Sequence, residues 1–113
     1  MKDDLAKSKC EPCNKLTPKL NMMDAAVLLG NLYGWYFDEK HHLQKKWKIK
    51  DPVALKKFVD AIWKLAENEG HHPNINFTWG VVEVTIWTHA IDGLSRNDFI
   101  LAAKIDSLPV PAL

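Results

Sequence analysis

The sequence predicts an α+β domain, an α-β-β-α-β-β-α chain whose four-stranded antiparallel sheet carries its helices on one face. Three observations lead there. Apolar and polar residues alternate in two pairs of short segments, each pair joined by a polar or glycine turn. Apolar residues recur at helical spacing before, between and after those pairs. The chain has 113 residues, 47% hydrophobic and 26% charged, enough for one core and too few for a second domain.

Residues 1–17 are rich in Lys, Asp and Glu and carry Pro12, so they read as a flexible N-terminal arm ahead of one domain over residues 18–113. Leu20, Met23, Val27, Leu28 and Leu32 then keep helical spacing, with Gly30 and Gly34 as stops, which predicts a short helix with those residues facing inward. Trp35-Tyr36-Phe37 reads as a strand. Asp38 to His42 form a polar turn, with His41 and His42 both expected in solvent. Leu43, Lys45, Trp47 and Ile49 alternate with Gln44, Lys46 and Lys48, a returning strand whose apolar face Lys45 interrupts.

Asp51-Pro52 is a strong helix start, with Asp as N-cap and Pro where a missing N–H costs nothing. Leu55, Phe58, Val59, Ile62, Leu65 and Ala66 give the helix one buried face, and Gly70 can end it. Ile75, Phe77 and Trp79, then Val82, Val84 and Ile86, alternate with polar neighbours around Gly80, a second hairpin. Ser95-Arg96-Asn97-Asp98 resembles a capping box with Asp in place of Glu, opening a last helix from Phe99 to about Leu108. The sheet's second face stays open, and Thr85 and Trp87 upon it suggest a subunit contact.

Charge and segment length narrow the function classes. Fifteen Lys and Arg against fourteen Asp and Glu leave a net charge of +1, without the basic excess that grips phosphate backbones. No apolar run approaches the ~20 residues of a membrane span, and Met1-Lys2-Asp3-Asp4 lacks a secretion signal's apolar core. The expected protein is cytoplasmic and binds neither nucleic acid nor membrane. Cys10 and Cys13 have the spacing of a redox dithiol or half a zinc site. With no strand before them and no second ligand pair, they read as free thiols on the arm.

Three of the five histidines surround the second hairpin: His71 and His72 at its entry, before Pro73, and His89 at its exit. Antiparallel pairing returns the chain to its starting end, so these residues can meet there. Glu67, in the last turn of the long helix, and Asp98, in the first turn of the final one, can reach the same end. Imidazoles oriented by carboxylates suit proton transfer at neutral pH. The competing readings are plain: His71 complementing a helix terminus, Asp98 serving only as a cap, or the histidines holding zinc. Adjacent residues of an extended segment point to opposite sides, which speaks against His71 and His72 chelating one ion. Neither a nucleophile motif nor a glycine-rich phosphate loop is present in the sequence.

Glu67, His71-His72-Pro73, Trp79, Thr88-His89 and Gly93-Leu94-Ser95 followed by Asp98 resemble the signature of the pterin-4a-carbinolamine dehydratases. That family is also called the dimerization cofactor of a homeodomain transcription factor. The resemblance runs from about Leu20 to Leu108 and departs at Asn74, where an acidic residue is usual, and at Trp79, where Tyr is frequent. It implies dehydration of 4a-hydroxytetrahydropterin to quinonoid dihydropterin, with the pterin as substrate and neither metal nor cofactor. By resemblance, His71 and His89 do the acid and base work, and His72 binds the ring and hydroxyl. Glu67 and Asp98 orient these histidines, and Pro73 and Trp79 contribute to the pocket. A homo-oligomer, dimer or tetramer, is implied too. The family's second role gives the alternative, a non-catalytic oligomeric module that stabilises a partner protein.

Overall fold

The computed structural model describes residues 5–12 and 14–109. Its regular elements are α1 (Met22–Leu29), β1 (Tyr36–Phe37), β2 (Leu43–Lys48), α2 (Pro52–Glu69), β3 (Asn74–Thr78), β4 (Val81–Ile86) and α3 (Arg96–Asp106). Short helical turns at Leu5–Lys7 and His89–Ile91 complete them. The strands form one antiparallel sheet in the order β1-β2-β4-β3. Leu43 and Trp47 of β2 and Val82, Val84 and Ile86 of β4 share the helix-covered face and are buried. Gln44, Lys46, Glu83 and Thr85 occupy the other face, as period-two alternation requires. The α+β order and one-sided sheet are those expected.

Lys45 does not break the inner face. Its stem runs along the core and its Nζ, 5.1 Å from the Trp47 ring centre, donates to Tyr33 O at 2.7 Å and Asp106 Oδ1 at 2.8 Å. A long aliphatic stem with a charged tip allows lysine to sit on an apolar face in this way.

Helix α2 starts as expected. Asp51 accepts from Val53 N–H at 3.0 Å, Pro52 takes the first position, and Leu55, Phe58, Ile62 and Ala66 face the core. Gly70 ends it in the left-handed region (φ 67°), and the reversed chain lets His71 N–H bond to Ala66 O. Helix α3 begins at Arg96 and ends at Asp106, earlier at both ends than apolar periodicity suggested, because Ser95 is its N-cap.

Two expectations are corrected here. In α1 it is Ala25 that is buried, with Leu28 and Leu29 partly covered, while Met23 and Val27 are 78% and 71% exposed. Every residue of this short helix but Asp24 is apolar, so the sequence carries almost no polar contrast to fix its rotation. The N-terminal segment, expected to be loosely attached, packs over α3 in its described part. Leu5 is 2% exposed within the core, and Glu11 exchanges two backbone hydrogen bonds with the Asn97 side chain, each 2.8 Å long. Cys10 N–H donates to Glu69 Oε1 at 3.1 Å, and the Cys10 thiol lies 3.6 Å from Asn97 O. Covered on a second side in this way, α3 buries Phe99, Ile100, Leu101, Ala102 and Ile105. Cys13 and residues 1–4 lie outside the described residues.

Candidate active site

The site is assembled where the β3–β4 hairpin opens. Gly70 turns the chain out of α2, Pro73 leads into β3, and β4 returns to Thr88 and His89. An isolated bridge from Thr88 to Gly93 closes the loop after β4 and sets Ser95 to start α3. Asp98, in the first turn of that helix, is fully buried. Its Oδ2 accepts from Ser95 N–H at 2.8 Å and from the Thr88 hydroxyl at 2.9 Å, and its Oδ1 lies 2.6 Å from His71 Nε2. Thr88 Oγ1 and Ser95 Oγ are 2.7 Å apart.

An ionised carboxylate only accepts, so a hydrogen bond to Asp98 Oδ1 calls for a proton on His71 Nε2. Asp98 is therefore both a cap and a histidine partner, and the two readings of it from sequence describe one residue. His72, half-exposed, pairs with Glu67 through Nε2 and Oε1 at 2.9 Å, and its ring lies 5.5 Å from that of Trp63. Two adjacent histidines thus face two different carboxylates, as expected of neighbours in an extended segment. His89 is exposed and stacks on Trp87, with ring centres 4.2 Å apart and planes 20° apart. Among the described residues no group of three or more His, Cys, Asp or Glu side chains is gathered closely enough to hold one metal ion.

Two sequence expectations about this region are corrected. Trp79 is in the turn between β3 and β4, 85% exposed, while His71, Thr88 and Asp98 meet at the other end of the hairpin. The alternating pattern runs on past Thr78, but the left-handed Gly80 (φ 77°) turns the chain before Trp79 can join the strand. His42 is 8% exposed rather than in solvent. Its ring lies parallel to Trp87, 4.3 Å between centres and 5° between planes. Trp87 is thus partly covered by histidines within the chain, and the neighbouring Thr85 is buried and accepts from Gln44 Nε2 at 2.9 Å. The register shows what alternation alone does not: Leu43 pairs with Ile86, so the next position outward sets His42 opposite Trp87. Thr88 and Ser95, which hold Asp98, stand in the family signature and Ser95 in the cap, but nothing in the sequence assigns them this role. Beside this end of the sheet, an open groove of ≈ 600 Å³ includes Tyr36, His42, Gln44, Asn74, Thr85 and Trp87 in its lining.

A family model described as pterin 4 alpha carbinolamine dehydratase matches residues 18–108. The chain belongs to this family. A Rickettsia canadensis protein named as a pterin-4-alpha-carbinolamine dehydratase is 47% identical over 104 residues, covering 91% of this chain and 95% of that one. The pterin-4-alpha-carbinolamine dehydratase 2, mitochondrial, of Arabidopsis thaliana is 40% identical over 115 residues, covering 97% of this chain and 62% of that protein. Among solved structures, the transcriptional coactivator/pterin dehydratase from Brucella melitensis superposes with a TM-score of 0.75 at 26% identity, over 80% of this chain and 97% of that one. A pterin dehydratase-like protein identified as a RuBisCO assembly factor in the alpha-carboxysome gives 0.55 at 28% identity, over 66% and 88%. In this family member both histidine–carboxylate pairs fall within the matched span.

Proposed function

We propose that this protein dehydrates 4a-hydroxytetrahydropterin to quinonoid dihydropterin and water by histidine acid/base catalysis, in the recycling of a tetrahydropterin cofactor. The observation that carries the reading is the buried His71–Asp98 pair, fixed by Thr88 and Ser95 at the end of the sheet where His89 emerges. The C4a–O bond breaks as an acid gives a proton to the departing hydroxyl, and a base takes one from the pterin ring system, so electrons stay within the substrate. His71 and His89 share these transfers, and His72, oriented by Glu67, holds the ring and hydroxyl. The groove beside Asn74 and Trp87 is where we place the approach of the flat substrate. The pterin is substrate, and the reading calls for no further cofactor. A cytoplasmic homotetramer belongs to the same proposal, supported by exposed apolar residues such as Met23, Val53, Trp63 and Phe77.

The test follows the ultraviolet decay of freshly generated 4a-hydroxytetrahydropterin with native protein and with His71→Ala, His89→Ala and His41→Asn. Loss of one acid or base group lowers the catalysed rate about 10²-fold. His41, exposed in the β1–β2 turn at φ 63°, serves as the histidine control, and Asn tolerates that backbone. Equal rates for native protein and both alanine variants would refute the residue roles.

A second reading is favoured by the two structural neighbours, one titled a transcriptional coactivator and the other an assembly factor. In that reading the chain stabilises a partner protein, and the alanine variants retain the partner contact.

A further inference from the structure

His42 belongs to the turn between β1 and β2, outside every segment of the family signature, yet it is buried. The turn is built to hold it. Asp38 N–H donates to His42 O at 2.9 Å, and Asp38 Oδ1 accepts from the backbone N–H of both Lys40 and His42, each at 2.9 Å. His41 takes the left-handed conformation that lets the chain reverse there. The imidazole of His42 is thereby delivered across the sheet onto Trp87, beyond the Leu43–Ile86 pair.

Trp87 then carries a ring on each side. His42 and His89 are both nearly parallel to the indole, their centres 4.3 Å and 4.2 Å from its own. On one face the two imidazoles would collide, so they occupy opposite faces. His89 is otherwise exposed, and an exposed imidazole samples several rotamers unless a surface fixes it. The indole supplies that surface, and His42 behind it stops the indole from turning away.

We propose that His42 is a positioning residue for the dehydration, acting through Trp87 to hold the His89 ring where it exchanges a proton with the substrate. The inference deepens the dehydratase reading and rests on it. Its chemical requirement is a flat ring at position 42, not an imidazole.

The test compares His42→Phe, which keeps a flat ring, with His42→Leu, which fills similar space without one, in the full chain. His42→Leu is expected to lower kcat about tenfold, the worth of one aromatic stacking contact. It is also expected to move the His89 ring proton NMR resonances from their position over the indole toward those of a free histidine. His42→Phe is expected to keep native kcat within about twofold and to leave the His89 resonances shielded. Equal kcat for the two variants, or His89 resonances unmoved in His42→Leu, overturns the proposal. Because both variants fill the site, matched circular dichroism and melting separate a lost stack from a lost fold. If native protein fails to accelerate the decay at all, the dehydratase reading fails instead, whereas the His89 resonances report on the stack regardless.

Discussion

At Asp98 one carboxylate organises three groups: the His71 imidazole, the Thr88 hydroxyl and the Ser95 N–H. Removing it leaves three buried donors without their acceptor. Asp98→Ala is therefore expected to lose about 3 kcal/mol of stability, read from urea unfolding. Asp98→Asn separates stability from chemistry. It keeps the shape and one acceptor oxygen, but an amide NH₂ turned toward His71 drives the imidazole proton from Nε2 to Nδ1. The expected outcome is a small stability change with kcat lowered about 10²-fold. Native kcat in Asp98→Asn would show that the tautomer is irrelevant. Much of this residue-scale picture was legible: His71, His72, His89, Glu67 and Asp98 are all singled out by residue type and position. What was not legible is His42, because a histidine in a polar turn looks like any solvated one until register places it opposite Trp87.

Among the elements, the junction from α2 into β3 does most to place the site. Gly70 lets the chain leave α2 in a left-handed turn, and a Cβ there would meet no atom within 4 Å. Gly70→Ala thus introduces backbone strain without a clash. A loss of about 1 kcal/mol is expected in chemical denaturation, and no change in stability would mean that the left-handed turn is not required. Caps were readable in the sequence because their chemistry is local: Asp51-Pro52 and Ser95 lie where they were expected. Rotation of α1 and the end of β3 were not. The first depends on what covers a short helix, and the second on a turn that overrides an alternating pattern at Trp79.

At the scale of the whole molecule, the sheet and α2 enclose one side of α3, and the N-terminal segment closes another. Charged composition hid that role, since a single buried leucine among lysines gives no periodic signal. Leu5→Ala is expected to destabilise the fold by about 2–3 kcal/mol, the range for truncating a buried leucine. A melting temperature equal to native would return this segment to the status of a loose arm. The central claim concerns the assembled molecule: with its two histidine–carboxylate pairs and His89 in place, it turns over a pterin carbinolamine. The most direct measurement is stopped-flow ultraviolet absorbance of 4a-hydroxytetrahydropterin decay, with substrate in large excess over native protein and buffer alone as the reference. Acceleration proportional to protein concentration and sustained over many turnovers is the predicted result. Decay indistinguishable from buffer would contradict it.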